Sequence, residues 1–365
     1  MRFARLRRPM AGRVLLGPMF GEFGGVSQHV RQLDRRLAHE HEAFRLPPWS
    51  VYHPVWSGLS WRFEAARRAA PDPFALALSR KARAFDLVHL HAFPFWIRAH
   101  LRKSAPRAKT VATLHQIFFE EDFSEADWPR WRAVNESVLE SLKDADRVIA
   151  VAKWHVPLLR ARGIEATWIP NGADVAAFAA ADGARFRAKH GLDEPFYLWA
   201  AALLRYKRPN LFLDLADRYP DRRFVMMGRG VTPANLHALT GRAPPDNVLL
   251  LGEVPRADVM DAFAAARAYV LPSSRETFAI AVLEAMAAGC AVVAARGTGA
   301  SDILTDGQTG FLFSPDDADD LARAADRAWD RPEVGEAARD LAERHYAWDA
   351  VVARIDALYD EVLSS

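Results

Sequence analysis

Cysteine is nearly absent from this chain, which has Cys290 as its single thiol among 365 residues. One cysteine excludes an internal disulfide framework and is typical of proteins that work in a reducing compartment. The sequence also lacks an uninterrupted apolar run of about 18 residues, so it predicts no transmembrane helix. The basic N-terminal residues are followed by no apolar core segment, so no secretory signal is indicated. We therefore expect a cytoplasmic protein.

The net charge is small, at +2, but it is unevenly distributed. Residues 1–110 contain 20 Lys and Arg against 7 Asp and Glu, a balance of +13, whereas the remaining residues carry −11. Such an excess suggests an anionic partner, for example a phospholipid surface, a lipid phosphate or an acidic glycan. A solvated basic surface explains the pattern equally well. The sequence has no zinc-finger spacing, RNP-like segment or basic zipper, so nucleic acid is not an expected partner.

Short apolar runs alternate with segments of helical periodicity, which is typical of βα units and a parallel sheet. The first series of predicted strands covers residues 13–17, 86–91, 110–115 and 147–151. A second series covers residues 196–201, 223–227, 247–251, 268–271 and 291–294. Residues 174–191, between the two series, are predicted to be a connecting stretch. We therefore predict two doubly wound α/β domains, residues 11–180 and 181–346.

Two open parallel sheets also predict where a ligand binds. In such sheets, ligands lie beyond the carboxyl ends of the strands, near helix N-termini. With two domains of this kind, the expected site is the cleft that they face.

The segment from Pro272 to Gly289 carries the strongest local signal, because it follows an apolar strand and opens a helix. Glu276 lies in the turn, and Glu284 lies about two turns into the helix. Their carboxylates can accept hydrogen bonds from sugar and ribose hydroxyls.

The start of the same helix predicts an anion site. The backbone N–H groups of Phe278, Ala279 and Ile280 belong to the first turn, where they have no helical partner. Together with the helix dipole, they are suited to bind a diphosphate.

Glu276-x7-Glu284 resembles the signature of the retaining GT-B glycosyltransferases of family 4. Other segments resemble motifs of that family in the same order: Gly24-Gly25-Val26, Thr113-Leu-His115, Ile169-Pro-Asn-Gly-Ala-Asp174 and Asp306-Gly-Gln-Thr-Gly-Phe-Leu312. The resemblance spans residues 13–363. It implies a GT-B fold of two Rossmann-like domains facing a cleft, with a C-terminal helix, residues 347–365, that crosses back to the N-terminal domain.

The resemblance also implies roles for individual residues. Glu284 is expected to bind the donor ribose, Glu276 to contact the donor sugar, and His115 to contact that sugar or its developing charge. Gly24 and Gly25 are expected to hold the diphosphate and the sugar, although two glycines are also typical of a plain turn. The family usually has no clear enzymatic nucleophile, so none is assigned.

Two further positions are assigned to donor binding. Gly228 opens a Gly-x-Gly segment after a strand, and Asn171 lies in the Ile-Pro-Asn-Gly segment. A lone Gly-x-Gly is weak evidence, and Asn171-Gly172 is also typical of an interdomain turn.

The leaving diphosphate requires positive charge, which the family supplies with an Arg and a Lys. Lys207 matches the family Lys, but Ala202 stands where the family has Arg. Either Arg205 or Arg208 replaces the missing side chain, or the diphosphate is neutralised less completely. We favour Arg205 as the replacement.

The histidines of the segment Asp86–His91 have two interpretations. His89 and His91 alternate on one predicted strand, so they share a face of the sheet. They either line the site or have a structural role, and the sequence does not choose between these.

No metal or other cofactor is expected. The resembled family needs no bound metal in its usual form, and the chain has no Asp-x-Asp motif of the metal-dependent kind. The acidic pairs Asp316-Asp317 and Asp319-Asp320 are predicted to cap the N-terminus of a helix.

We therefore predict a retaining, hexosyltransferase-like glycosyltransferase. Its donor is a UDP- or GDP-linked sugar, and its acceptor is a glycan or a lipid-linked molecule of polysaccharide or lipopolysaccharide synthesis. The basic N-terminal half extends the prediction to peripheral attachment at the inner face of the cell membrane. The alternatives are a catalytically weak GT-B protein that binds sugar nucleotide or glycan, which Ala202 alone favours, and an NDP-sugar epimerase.

Overall fold

A computed structural model describes residues 10–20, 25–46, 73–91 and 97–365 of the chain. The chain folds as two compact units. The N-terminal unit comprises Met1–Pro170 together with Asp349–Ser365, and the C-terminal unit comprises Asn171–Trp348. The sequence placed the boundary at residue 180, whereas the contacts of the chain place it at Pro170.

The N-terminal unit contains a six-stranded parallel sheet. Its strands are β1 (Met10–Phe20), β2 (His39–Leu46), β3 (Leu87–Leu90), β4 (Lys109–Leu114), β5 (Arg147–Ala150) and β6 (Ala166–Trp168). The helices described in this unit before residue 170 are α1 (Gly25–Arg36), α2 (Pro73–Ala82), α3 (Ile97–Ser104), α4 (Trp128–Leu142) and α5 (His155–Arg160), with a short 3-10 turn at Glu120–Asp122.

The strand order of this sheet is β2-β1-β3-β4-β5-β6, and every pairing is parallel. The interior strands are continuous apolar runs because helices cover both of their faces. Their side chains, such as Val88, Ala112 and Val148, form one buried core with Leu78 and Leu139 of the helices. The chain leaves β1 for β2 on one side and returns to β3 on the other. The topological switch point therefore lies between β1 and β3.

The C-terminal unit contains a second six-stranded parallel sheet. Its strands are β7 (Phe196–Ala200), β8 (Arg223–Met227), β9 (Val248–Gly252), β10 (Ala268–Leu271), β11 (Ala291–Ala295) and β12 (Phe311–Phe313). Its helices are α6 (Val175–Ala179), α7 (Gly183–His190), α8 (Pro209–Arg218), α9 (Pro233–Thr240), α10 (Arg256–Ala265), α11 (Ile280–Ala287), α12 (Ala318–Asp330) and α13 (Val334–Tyr346), with a 3-10 turn at Arg205–Lys207.

The order of this sheet is β12-β11-β10-β7-β8-β9, again with parallel pairings. Aromatic side chains fill its core, among them Tyr197, Trp199, Phe212 and Phe224. The switch point of this sheet lies between β7 and β10. Ligands of such sheets bind beyond the carboxyl ends of the strands at that point.

The helix α14 (Trp348–Ser364) follows the C-terminal unit, but its residues from Asp349 onward belong to the N-terminal unit. The predicted apolar face of this helix is confirmed, since Val351, Ile355, Leu358, Tyr359 and Val362 are all buried. No helix of the described residues is both long and apolar enough to cross a membrane.

Polar contacts also hold α14 in place. Asp356 is 3% exposed and lies 2.8 Å from Nδ1 of His39, which is also buried. The backbone N–H of Ala38 donates to the same carboxylate. At the start of the helix, Arg36 bonds to Asp349 at 3.1 Å.

The structure corrects the sequence-based elements in two ways. Residues 174–191 contain helices α6 and α7 rather than a simple connection. The strands β2, β6 and β12 were not predicted, and all three lie at sheet edges. The predicted cap at the acidic pairs is confirmed, because Asp317 precedes α12 and accepts the Asp320 N–H at 2.8 Å.

Candidate functional site

The turn from Pro272 to Ala279 lies at the carboxyl end of β10, beside the switch point of the C-terminal unit. It ends at Ala279, which has φ +57° and precedes the first residue of α11. Apart from Arg208, no other non-glycine residue of the described chain has a positive φ. Left-handed backbone at a non-glycine residue costs about 1–3 kcal/mol and tends to occur at ligand sites.

The helix begins later than the sequence predicted: Ile280 is the first residue of α11, and Phe278 and Ala279 precede it. Among residues 97–365, no acceptor is hydrogen-bonded to the N–H of Phe278, Ala279 or Ile280, whereas the Ala279 carbonyl oxygen accepts the Val282 N–H at 2.9 Å. Phe278 is buried and Ile280 is partly exposed. The three donors are therefore available for an anion.

Loops from both neighbouring strands hold this turn. The Ser274 N–H donates to the Tyr206 carbonyl oxygen, and the Gly299 N–H donates to the Glu276 carbonyl oxygen, both at 2.8 Å. A Cβ atom at Gly299 would lie 2.0 Å from the Thr277 carbonyl oxygen, so only glycine allows this approach. The backbone under Glu276 is therefore fixed from two sides.

Lys207 and Glu276 meet at the centre of the site. The Lys207 Nζ lies 2.5 Å from Oε1 of Glu276, and the side chains are 15% and 10% exposed. The two residues come from the loops after β7 and β10, which are neighbouring strands. A largely desolvated pair of this kind is stronger than a surface ion pair, and its loss is costly. The structure thus joins two residues that the sequence assigned separately.

A second cation lies in the same turn. The Arg275 guanidinium carbon is 4.9 Å from the Tyr206 ring centroid, and the Lys207 Nζ is 5.2 Å from that centroid. The sequence did not single out Arg275. It follows no helical or strand periodicity, and its proximity to Tyr206 arises only from the pairing of β7 with β10.

The two arginines weighed as replacements for Ala202 are placed differently. Arg205 begins the 3-10 turn and its side chain is exposed. The Arg208 guanidinium instead contacts the Pro315 carbonyl oxygen and lies 3.0 Å from Asp316. Arg208 is therefore engaged with the segment before α12.

Glu284 projects from α11 and is only 12% exposed. Its Oε1 atom accepts a hydrogen bond from Arg256 at 2.5 Å, and the Arg256 guanidinium also lies 4.9 Å from the Phe178 ring centroid. The sequence gave no indication of this arginine, which begins α10, 28 residues before its partner.

Glu276 and Glu284 both interact electrostatically with Tyr269. Tyr269 of β10 is fully buried and donates to the Ala200 carbonyl oxygen at 3.1 Å. Burial raises the pKa of the Tyr269 hydroxyl well above its ordinary value, and the charges of Glu276 and Glu284 raise it further.

Gly228 and Asn171 were also assigned to the donor. Gly228 follows β8 with φ +134°, and a Cβ atom there would lie 1.9 Å from the Ala201 carbonyl oxygen. The loop after β7 thus packs directly on the loop after β8. Asn171 is 8% exposed, and the next residue, Gly172, packs against the Trp348 ring.

The N-terminal unit carries a cluster of imidazoles at its own switch point. The ring centroid of His29, on α1, lies 5.3 Å from that of His91 and 4.9 Å from that of His115. His91 follows β3, and His115 follows β4. The ring centroids of His89 and His91 are 3.8 Å apart. We call these four residues the histidine cluster.

Three members of the histidine cluster, His89, His91 and His115, are neutral near pH 7. Burial lowers the pKa of His89, His91 and His115 well below the ordinary value, and the neighbouring histidines lower each of them further. Burial also lowers the pKa of the nearby His155 to about 4. Neutral imidazoles both donate and accept hydrogen bonds, so these three residues offer polar contacts without charge.

His89 has a structural role that the sequence left open. Its Nδ1 atom lies 2.5 Å from the Tyr359 hydroxyl of α14, and its Nε2 atom lies 2.7 Å from Oγ1 of Thr113. It therefore ties β3 to β4 and to α14.

The predicted glycine loop is described only in part. Gly24 lies outside the described residues, and Gly25 is the first residue of α1. Within the described ranges, no group of three or more His, Cys, Asp or Glu residues is arranged to hold a metal ion. Cys290 is buried, and burial raises the pKa of its thiol to about 12, which makes it unreactive.

Two families match the sequence. Glycosyl transferases group 1 matches residues 182–348, and Glycosyltransferase Family 4 matches residues 23–177. The matched regions thus carry the ion pair of Lys207 and Glu276 and the histidine cluster, respectively.

Relatives and solved structures agree with these families. A phosphatidyl-myo-inositol mannosyltransferase of Mycolicibacterium smegmatis is 30% identical, with 93% of this chain and 90% of that protein covered. A D-inositol 3-phosphate glycosyltransferase of Acidothermus cellulolyticus is 27% identical, with 95% and 88% covered. The structure of Anabaena HepE in complex with UDP-glucose is similar with a TM-score of 0.72 at 18% identity, with 96% of this chain and 100% of that chain covered.

Proposed function

Because this chain belongs to glycosyltransferase family 4, and is therefore a glycosyltransferase, we propose that it transfers a hexose from a UDP- or GDP-linked donor to a phosphate-bearing acceptor, with retention at the anomeric carbon. The bond between the anomeric carbon and the β-phosphate oxygen breaks, and a bond to an acceptor hydroxyl oxygen forms as the proton of that hydroxyl passes to the departing diphosphate. The nucleoside diphosphate leaves.

The observation that carries this proposal is the desolvated pair of Lys207 and Glu276 beside the N–H groups of residues 278–280 at the start of α11. An ammonium and oriented N–H groups stabilise the negative charge that grows on a departing diphosphate. The adjacent Glu276 carboxylate accepts hydrogen bonds from sugar hydroxyls and holds the ammonium in place.

Arg275 supports the same step. It lies in the turn of Glu276 and against the same tyrosine ring as Lys207, so it supplies positive charge that Ala202 cannot. Arg205, our choice from the sequence, remains an alternative that a side-by-side comparison of the two variants would decide.

Glu284 is assigned to the ribose of the donor. A buried carboxylate anchored by Arg256 through one oxygen presents a fixed acceptor geometry to a pair of hydroxyls. His115 keeps the role implied by the family resemblance, a neutral hydrogen-bonding contact to the donor sugar.

Two observations support a phosphate-bearing acceptor. The balance of +13 in residues 1–110 favours an anionic partner. The relatives named above are a phosphatidyl-myo-inositol mannosyltransferase and a D-inositol 3-phosphate glycosyltransferase, both named for phosphate-containing acceptors. We propose that the enzyme acts in the cytoplasm, with lipid-linked acceptors presented at the inner membrane face, and that its leaving-group charge is met without a metal.

The proposal is tested with the purified full chain. Thermal shift and calorimetry against UDP, GDP, ADP, CMP and dTDP should show stabilisation by UDP or GDP, because a ligand of the folded state raises its stability. Turnover of the matching α-linked sugar nucleotide, with an inositol phosphate as acceptor, should give an α-linked product by NMR. A β-linked product would exclude retention, and no response to UDP or GDP would exclude the proposed donors.

A further inference from the structure

His91 meets His115 directly, although the sequence left its role open. The Nδ1 atom of His91 lies 3.4 Å from the Nε2 atom of His115. His91 is 1% exposed, and its other nitrogen, Nε2, has no hydrogen-bond partner in the part of the chain that the structure describes. His115 is more accessible than His91.

Proton positions in this pair follow from the cost of burial. A neutral imidazole carries one N–H and one lone pair. A buried N–H without an acceptor is rarer than a buried acceptor without a donor. The isolated Nε2 atom of His91 therefore carries the lone pair, and the proton of His91 is on Nδ1.

We propose that His91 is a positioning residue that fixes the tautomer of His115. It donates its Nδ1–H to Nε2 of His115, so His115 keeps its own proton on Nδ1. That this Nδ1–H of His115 contacts the donor sugar rests on the proposed function. The tautomer of His115 is independent of the proposed function.

The surroundings hold His91 in this position. His89 packs on the His91 ring at 3.8 Å between centroids, and His89 is itself anchored by Tyr359 and Thr113. The ring centroid of His29 lies 5.3 Å from that of His91. Within the described residues, the titratable groups that contact His115 or act on it electrostatically are His29, His89, His91 and His155.

This arrangement has a chemical consequence. With its Nε2 lone pair occupied, His115 cannot accept a proton at that nitrogen and acts as a hydrogen-bond donor through Nδ1. It therefore orients a sugar oxygen and does not act as a general base at Nε2. Removal of the His91 donor frees the lone pair, which favours protonation of His115 and raises its pKa.

The tautomer is tested directly by ¹⁵N NMR of the full chain labelled at histidine, with His115→Gln assigning the resonance. In the wild-type protein the shifts should show the Nδ1–H form. The amide of His91→Asn lies near the position of Nδ1, so this variant should retain that form. His91→Gln, whose amide lies near Nε2, and His91→Leu should show mixed tautomers.

Kinetics give a second readout. His91→Leu and His91→Gln should lower kcat about tenfold with little change in KM, because Lys207 and Glu284, which we assign to the nucleotide, are unchanged. The acid limb of the kcat profile should move to higher pH in both and return toward wild type in His91→Asn. Circular dichroism and melting of all three variants establish that each is folded.

Different outcomes separate this proposal from the proposed function. A wild-type His115 with its proton on Nε2, or equal shifts and rates in the Asn and Gln variants, would overturn the positioning role. Full turnover in His115→Gln would instead overturn the contact of His115 with the sugar, and the tautomer measurements would still stand.

Discussion

The two units have sheets of the same size but differ in the polar groups at their switch points. The C-terminal unit places charged pairs there, Lys207 with Glu276 and Arg256 with Glu284. The N-terminal unit places the histidine cluster there, in which His89, His91 and His115 are neutral near pH 7. The switch point with charged pairs is thus in the unit that we assign to the diphosphate. At the other switch point, these three histidines offer hydrogen bonds without charge.

The strand orders also differ. Relative to its own first strand, the C-terminal sheet has the order 3-2-1-4-5-6 found in dinucleotide-binding proteins, whereas the N-terminal sheet has the order 2-1-3-4-5-6. Each order creates a switch point beside its first strand. The comparison teaches that the topology sets the place of a site, whereas the side chains set its chemistry.

The largest effect is expected from removal of the central cation. Lys207→Ala should weaken binding of the nucleoside diphosphate and lower turnover by about 10²- to 10³-fold, because the charge on the leaving group grows as the bond breaks. Steady-state kinetics and calorimetry measure the two effects.

Lys189→Ala is the matched control, since its ammonium forms an exposed pair with Asp258 in the same unit. It should behave like the wild-type protein. Intact turnover in a folded Lys207→Ala protein would show that the charged switch point does not serve the leaving group.

A smaller effect is expected at the ribose position. Glu284→Ala should weaken UDP or GDP binding about 10- to 100-fold, which corresponds to the loss of hydrogen bonds to a charged group. Turnover at saturating donor should change less. Glu343→Ala, on the exposed side of α13, is the control. If both variants bound UDP or GDP with equal affinity, the assignment of Glu284 to the ribose would be wrong.

Acid should affect the two units differently. His89, His91, His115 and His155 have lowered pKa values in the folded protein, so the unfolded chain binds more protons once the pH falls below about 6.5. Stability present at pH 7 should therefore be lost as the pH falls toward 4. For His155, whose pKa is lowered to about 4, the loss between pH 7 and 5 is roughly 2 kcal/mol.

Hydrogen exchange measured at several pH values localises this loss. Protection of β4 and β5 should fall with acid before that of β8 and β10, and His155→Phe should reduce the difference. Equal loss in both units would mean that the histidine cluster does not determine acid sensitivity.

The smallest effect is expected from metal removal. If Lys207, Arg275 and the N–H groups of α11 meet the leaving-group charge, EDTA should leave the rate unchanged within error. A loss of activity that Mg²⁺ or Mn²⁺ restores would contradict this expectation. It would indicate that a metal cation neutralises part of the negative charge of the leaving group.

Much of the fold could be predicted because the interior strands are continuous apolar runs. Residues 223–227 and 268–271 were predicted with their observed bounds. The strands that were missed are edge strands. β2 has the sequence His-Glu-His-Glu-Ala-Phe-Arg-Leu, which has too little apolar character to predict a strand, and β6 and β12 have three residues each. These segments become strands because they pair with a neighbouring strand of the sheet, which their own sequences do not show.

The site was predictable only as far as motifs extend along the chain. Glu276, Glu284 and Lys207 were found because a family pattern surrounds them. Arg256 and Arg275 were not, because their contacts depend on strand order and helix packing rather than on spacing. His29 was missed for the same reason: it meets His91 only where α1 passes the end of β3.

The attachment of α14 to the N-terminal unit has a consequence for the order of folding during synthesis. The ribosome makes the whole C-terminal unit between Pro170 and Asp349, which takes roughly 10 to 40 s at common elongation rates. During that interval the nascent N-terminal unit lacks the hydroxyl of Tyr359 and the carboxylate of Asp356, the partners of two buried histidines. The C-terminal unit, which is continuous in sequence, can therefore complete its fold first, so the segment made earlier is the one that matures last.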